Sequence, residues 1–444
     1  MSPPARSTAL LTDRYELTML DASLHDGRGD RPCVFEVFTR RLPPGRRYGL
    51  LAGTGRLLDA VAGFRFDDDV LGWLDDASVV SPATIDWLRD YRFRGDIEGY
   101  AEGELYLPHS PVLTVRGSFA DAVVLETLAL SVLNYDSAVA SAAARMVTAA
   151  NGRQLFEFGS RRANEDAAVA AARAAYIAGF DGTSNLEAGR RYGIPTFGTS
   201  AHAFTLLHDS EASAFAAQVA ALGPGTTLLV DTYDIEEGLR TALRVAGTEL
   251  GAVRIDSSDL GAEAVRARRM LDETGAERTK IVLSGDLDEY RIADLADAPA
   301  DAYGVGTSVV TGSGAPTAGF VYKLVARAEA ADGPYTSVAK AGGAKATRGG
   351  RKVSWRRRHD GEAVADVVRP HGSPPPDGDV RALQVPLIVD GERVAESDLE
   401  AARERVRASL AELGPAGRDL GDGPLALETV FEEDPDSPGP KEDA

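Results

Sequence analysis

Residues 226–260 read TTLLVDTYDIEEGLRTALRVAGTELGAVRIDSSDL: an apolar run, an amphipathic stretch and a second apolar run, each apolar run closing on a polar loop. Continuous apolar runs suit parallel strands covered on both faces. With a helix between them they predict a β/α unit. The same alternation continues outward in both directions, with further strand-like runs at QLFEFG (154–159), IPTFG (194–198), KIVLSGD (280–286) and AYGVG (302–306). The helices between them have readable ends. Asn164 is placed to cap the alanine-rich run 165–178 and Gly179 to stop it, and the run 235–250 is expected to close at Gly251. Glycine-bearing polar loops follow most of the strands, and in parallel β/α folds that edge is where ligands bind.

The chain reads differently outside this region. Up to about residue 120, short strands such as PCVFEVFTR and turn material such as RLPPGRR predict a separate α+β domain, which C-terminal segments are expected to join. The apolar stretch 119–134 carries Asp121 and Glu126, falls short of a membrane span, and reads as a buried helix. Residues 121–330 are assigned to the β/α domain. Residues 331–430 read as a basic loop and a return segment, because GGAKATRGGRKVSWRRR and SPPPDGD look like loops. The end, 431–444, is acidic and proline-rich, and disorder is expected there.

Composition narrows the function classes. In 444 residues, 48 Lys and Arg face 68 Asp and Glu, a net charge of -20. That balance argues against a nucleic-acid or anionic-membrane surface. A single cysteine, Cys33, excludes an internal disulfide framework and multi-cysteine metal sites. With no signal-like apolar segment ahead of Asp13 and Arg14, a reducing cytoplasm is the expected location.

Several residues on the strand-end loops carry chemistry. Gly-Thr-Ser recurs at 182–184, 198–200 and 306–308, where glycine admits close backbone approach and hydroxyls with neighbouring amides can cradle phosphate; an ordinary turn is the plain alternative. Of six histidines, His202 stands out in FGTSAHAF, where a neutral imidazole can act as nucleophile or acid/base. Asp231, Asp234, Asp256, Asp259 and Asp286 fall on the same rim. They can orient sugar hydroxyls, hold Mg²⁺ through few ligands or cap helices; Asp259 reads as a cap and Asp256 as functional. Arg161, Arg162 and Arg254 supply planar forks for carboxylate or phosphate, and the basic segment 351–358 adds further positive charge.

The segments TDRYELTM (12–19), FEVFTRRLP, EFGSRRA, FDGTSN, FGTSAHAF, VDTYDI, VRIDSSDL, LSGDLDEY and YGVGTSVVTG, in that order, resemble the nicotinate phosphoribosyltransferase family from about residue 8 to 360. The resemblance implies an α/β fold, an irregular β/α barrel with an N-terminal α+β domain, in a homodimer with shared active sites. It implies that nicotinate and 5-phosphoribosyl 1-diphosphate give nicotinate mononucleotide and diphosphate, a salvage entry into NAD, with Mg²⁺ as cofactor. ATP is implied as a co-substrate coupled through a phosphohistidine. On the matching positions, Tyr15 of a partner subunit and Phe158 sandwich the pyridine ring, Arg254 holds the substrate carboxylate or the neighbouring phosphate, Arg161 also lies at the pyridine site with Thr199 nearby, and His202 is phosphorylated. Asp231 and Asp256 attend ribose and metal, Gly285, Asp286, Thr307 and Ser308 form the 5-phosphate and ribose loops, and Arg40, Lys340 and Lys345 serve the diphosphate or ATP phosphates. The metal ligands stay unassigned.

One position departs from the family pattern: Ser258 replaces the glycine of the usual Asp-Ser-Gly-Asp, which costs affinity if that residue needs positive φ or close backbone approach to phosphate. A nicotinamide-using relative and a catalytically silent, metabolite-binding barrel are the competing readings.

Overall fold

The computed structural model describes residues 7–340 and 347–432. Lys345 and the acidic tail beyond residue 432 lie outside the described residues. The chain forms two compact units, one built from residues up to Ser137 together with those from Thr317 onward, the other continuous from Ala138 to Pro316. The junctions fall after Ser137 and before Thr317, and the segment after residue 330 lies in the first unit. Composition marks changes of texture along a chain; it does not report which distant strands pair.

The first stretch carries α1 (Arg14–His25), β1 (Pro32–Thr39), β2 (Gly49–Leu50), α2 (Thr54–Ala62), α3 (Asp68–Asp76), α4 (Pro82–Arg89), β3 (Asp96–Tyr100), β4 (Leu105–Tyr106) and β5 (Leu113–Ser118). The helix expected over 119–134 is two helices, α5 (Phe119–Val123) and α6 (Glu126–Ala150). Ser118 starts the first by accepting from the Asp121 amide at 3.0 Å. Taken together, 119–150 is long and apolar enough to cross a membrane, yet 67% of its most apolar window is buried within the protein, as in a core helix.

The continuous unit then alternates as the sequence predicts: β6 (Gln154–Glu157), α7 (Glu165–Ala178), β7 (Gly182–Thr183), α8 (Leu186–Tyr192), α9 (His202–Leu207), α10 (Glu211–Leu222), β8 (Thr227–Leu229), α11 (Ile235–Ala246), β9 (Ala252–Ile255), α12 (Leu260–Glu273), β10 (Lys280–Ser284), α13 (Glu289–Asp294), β11 (Ala302–Val305) and α14 (Thr307–Val310). The six strands pair in parallel in the order β7-β6-β11-β10-β9-β8 and curl into a half-barrel. Asn164 caps α7 by accepting from the Asp166 amide at 3.1 Å, and Gly179 ends it at φ 122°. Asp234, Asp259 and Asp288 begin α11, α12 and α13 in the same manner, so Asp259 is a cap.

Two expectations fail here. IPTFG is not a strand, since only Thr196 bridges to Thr183 and Pro195 interrupts the ladder. α11 stops before Gly247 at φ 69°, short of Gly251.

Side chains alternate across this sheet with period two. On one face Leu155, Glu157, Val253, Ile255, Ile281, Leu283, Tyr303 and Val305 are at most 2% exposed. On the other face Phe156, Ala252, Val282 and Ala302 cluster with the half-buried Phe158 as the apolar floor of an open bowl.

The chain returns to the first unit with β12 (Phe320–Arg327), β13 (Thr336–Ser337), β14 (Lys352–His359), β15 (Glu362–Pro370), β16 (Asp379–Ala382), β17 (Gln384–Val389), β18 (Glu392–Arg393), α15 (Leu399–Glu412) and β19 (Glu428–Phe431). A seven-stranded sheet runs β13-β12-β1-β5-β3-β17-β18, with a four-stranded sheet β16-β14-β15-β19 beside it. Residues 352–358 of the basic segment read as a loop therefore lie in strand β14.

Its charge is neutralised internally. Lys352 pairs with Glu36, Arg351 with Glu98, Arg357 with Glu432 and Arg358 with Asp379. The fully buried Arg356 lies 2.9 Å from Asp366 and 2.8 Å from Glu104, whose carboxylate Arg381 also holds.

Candidate active site

The bowl of the half-barrel places polar groups one step beyond its apolar floor. After Ala252, Val282, Ala302 and Phe156, the next residues on the same face are Arg254, Ser284, Gly304 and Phe158, as the strand registers require. Gly304 makes room for the aromatic ring: a Cβ there would lie 2.6 Å from the Phe158 ring. Phe158 continues a layer with Phe156, centroids 6.3 Å apart, and Phe156 in turn packs on Phe197 at 4.5 Å.

Arg254 is held on three sides. Its Nε donates to Ser284 Oγ at 2.8 Å, one terminal nitrogen to Thr199 Oγ1 at 3.1 Å, and the other to Asp256 at 2.8 Å. One N–H on each terminal nitrogen is left for a ligand, because a guanidinium carries five. The guanidinium carbon sits 5.6 Å from the Phe158 ring centroid. A fixed cationic fork beside an aromatic face suits a flat aromatic anion.

Asp231 is buried and works at both oxygens. One lies 3.1 Å from His202 Nε2, the other accepts from the Asp256 amide at 2.6 Å. His202 opens α9 with a partly exposed ring. Beyond β10, Gly285 at φ 125° and Asp286 at φ 46° form a tight turn, and a Cβ on Gly285 would come within 3.1 Å of Asp256 Oδ1. Only glycine admits that approach without displacement.

Ser258 is not among the residues with positive φ, so the φ cost feared for serine does not arise. Thr307 and Ser308 open the short α14, and Arg161 is exposed in the turn after β6 with no side-chain partner among the described residues.

Glu211, at the start of α10, has its pKa pushed up to about 7 by burial and by the like charges of Glu237, Asp231 and Asp234; one of its carboxyl oxygens is buried without a hydrogen-bond partner. Among the described residues no three His, Cys, Asp or Glu side chains converge as a metal site.

The first unit holds the other expected residues. Tyr15 is 47% exposed near the start of α1, and burial, then Glu126 and Glu16, push its phenol up to about 12. The neighbouring Glu16 is fully buried and accepts from the Thr127 amide at 2.8 Å, tying α1 to the N-terminus of α6. Arg40 follows β1 with its Nε buried and without a hydrogen-bond partner. Nearby, a 320 Å³ cavity is lined by Phe38, His109, Thr347, Arg348, Lys352 and Phe431. Burial, then Arg348 and Arg40, lower the His109 pKa. Lys340 is exposed, its amide donating to Thr347 Oγ1 at 3.3 Å.

Sequence reading missed Ser284, Arg348 and His109. Period-two counting back from Asp286 would have put Ser284 on the Arg254 face, but no local signal marks the other two.

Family models for the nicotinate phosphoribosyltransferase N-terminal domain and for the nicotinate phosphoribosyltransferase family match residues 10–134 and 153–326. The chain is 58% identical over 430 residues to nicotinate phosphoribosyltransferase pncB1 of Mycobacterium tuberculosis, covering 95% of this chain and 94% of that protein. It belongs to the nicotinate phosphoribosyltransferase family. Within that family it is also 38% identical to the Bacillus subtilis nicotinate phosphoribosyltransferase, across 79% of this chain and 73% of that protein. The crystal structure of human nicotinic acid phosphoribosyltransferase superposes with a TM-score of 0.81 at 26% identity, covering 95% and 97% of the two chains. The architecture of this family, a parallel β/α half-barrel and an N-terminal domain, is the one described above.

Proposed function

We propose that the protein forms nicotinate mononucleotide and diphosphate from nicotinate and 5-phosphoribosyl 1-diphosphate, a salvage step toward NAD in the cytoplasm, with ATP hydrolysis coupled through His202. The observation that carries this reading is Arg254, anchored on three sides beside the Phe158 ring. A pyridine carboxylate satisfies both groups at once: the ring lies on Phe158 and the carboxylate takes the free N–H groups.

In the reaction the pyridine nitrogen bonds to ribose C1 while the C1–oxygen bond to diphosphate breaks, and the leaving group takes the electron pair. The sugar is cationic in the transition state, so Asp256 and Asp231 are suited to stabilise it and Phe158 and Arg254 to hold the ring in line. Gly285, Asp286, Thr307 and Ser308 would cradle the 5-phosphate. Mg²⁺, bound with the substrate phosphates, would neutralise charge on the diphosphate. Asp256 and Asp231, the acids beside the ribose on this reading, would help those phosphates hold the ion.

An imidazole that donates Nε2–H to Asp231 presents the Nδ1 lone pair outward. That atom would accept the phosphoryl group of ATP and release ADP. A homodimer is favoured by exposed apolar groups: Leu10, Leu11 and Tyr15 in the first unit, and Leu186, Phe197, Leu206, Leu207 and Tyr233 in the second. On this reading Tyr15 of a second copy closes the pyridine site, and Arg40, Lys340 and the cavity beside His109 serve phosphates.

The test is direct. Purified protein is incubated with nicotinate, the ribosyl diphosphate, Mg²⁺ and ATP, and the products are separated by chromatography. Nicotinate mononucleotide is expected; its absence refutes the enzyme reading, and faster turnover of nicotinamide reassigns the substrate.

A further inference from the structure

Glu157 has no role in the reaction described above, yet it is fully buried on the helix-covered face of the sheet, at the end of β6. One carboxylate oxygen accepts from the Gly159 amide, the other from the Thr183 hydroxyl. Thr183 Oγ1 accepts in turn from the Asn185 amide at 2.9 Å, and the Glu157 carbonyl takes the Ser184 amide at 2.8 Å. Asn185 returns to the first loop by donating to Ser160 Oγ at 3.1 Å. The carboxylate therefore joins the loop after β6, which carries Phe158 and Arg161, to the loop after β7.

Among the described residues no Lys or Arg pairs with it. A buried carboxylate without a cation is costly, and burial raises its pKa against the two hydrogen bonds that lower it. The backbone is shaped around it. A Cβ on Gly159 would fall 2.8 Å from a Glu157 carboxylate oxygen and 2.2 Å from the Val310 side chain, so only glycine lets the chain turn this close. On the strand's other side the Phe158 amide is fixed to the Val305 carbonyl at 2.7 Å. With the Phe158 and Gly159 amides both tied, the backbone fixes the direction of the Phe158 Cα–Cβ bond.

We propose that Glu157 is a positioning residue for the pyridine site: acting from behind the sheet, it locks the two strand-end loops together and thereby sets Phe158 and Arg161 against the substrate ring. This rests on the reading of the bowl as a nicotinate site. An apolar residue would fill the same volume but leave the Gly159 amide and the Thr183 hydroxyl without an acceptor.

The test combines kinetics with amide hydrogen exchange on the full chain. Glu157→Ala should raise KM for nicotinate about tenfold, the loss expected for one or two hydrogen bonds, and leave kcat and KM for the ribosyl diphosphate within about twofold. Glu157→Gln, which keeps an acceptor for the Gly159 amide, should return KM to within about twofold of the parent. Exchange should quicken together over 158–163 and 183–186 in the alanine variant. If that variant does not fold, Thr183→Val should show the same exchange pattern and a smaller KM rise, about threefold.

A merely structural role would lower thermal stability without singling out nicotinate, and unchanged KM or equal rises for both substrates overturn the proposal. If the parent protein makes no mononucleotide, the catalytic reading falls, while coupled exchange of the two loops still supports the lock and its absence refutes it.

Discussion

His202 Nε2 lies 3.1 Å from a carboxylate oxygen of Asp231 whose other oxygen is fixed by the Asp256 amide. The imidazole is thus oriented by the same group that ties the β8 and β9 loops. We expect His202→Ala to abolish ATP stimulation of mononucleotide formation while changing nicotinate affinity less than about twofold. Asp231→Asn should lose about 10–100-fold in the coupled rate, because the amide orients the ring poorly and weakens the oxygen acceptors. Rates with and without ATP, and nicotinate titration calorimetry, check both.

Gly304 lies under the Phe158 ring. Placing a methyl there, 2.6 Å from ring atoms, must move the ring away from the bowl. For Gly304→Ala we expect KM for nicotinate to rise about tenfold, a loss of about 1.4 kcal/mol. A change in kcat alone would show that the ring has not moved.

Arg356 answers a different question, that of stability. Its guanidinium is fully buried between Asp366 and Glu104, so Arg356→Ala leaves the buried Asp366 without its paired cation and Glu104 with Arg381 alone, and should cost about 3–5 kcal/mol. The half-exposed Arg240 on α11, paired with Glu236, should cost less than about 1 kcal/mol when replaced. Urea denaturation of the two variants measures the contrast.

Glu211 should impose a pH dependence. Its folded-state pKa of about 7 lies above the ordinary carboxylate value of 4.5, so the folded protein binds this proton more tightly than the unfolded chain. The stabilising contribution is full below pH 4.5 and is lost as pH rises through 7. Glu211→Gln does not titrate. After allowance for solvent screening, the glutamine variant should match the parent near pH 4.5 and exceed it by about 1 kcal/mol at pH 8. Melting curves across that range give the answer.

Much of the fold is written locally. Asn164 and Gly179 set both ends of α7 because capping chemistry and left-handed backbone are properties of single residues. The loops after β8, β9 and β10 are legible for the same reason, since their aspartates begin helices. What distant residues supply is not legible. The run RKVSWRRRH looks like a cationic loop because the acids that neutralise it, Glu36, Glu98, Glu104 and Asp366, come from other parts of the chain. The anchoring of Arg254 combines Thr199, Asp256 and Ser284 from three separate segments, and no spacing rule links them. β7 escaped notice because two residues, Gly182 and Thr183, are too few to show periodicity.

The split composition of the first unit governs how the protein can be made. β1 lies between β5 and β12 in the seven-stranded sheet, yet β12 begins at Phe320. While the ribosome is still translating the half-barrel, one edge of β1 has no partner and its apolar side chains wait for it. The uninterrupted stretch from Ala138 to Pro316 can collapse first, and the opening residues complete their sheet only as the chain nears its end. Premature termination after Pro316 therefore releases an unpaired strand edge prone to self-association, and fragments for expression should not be cut at that point.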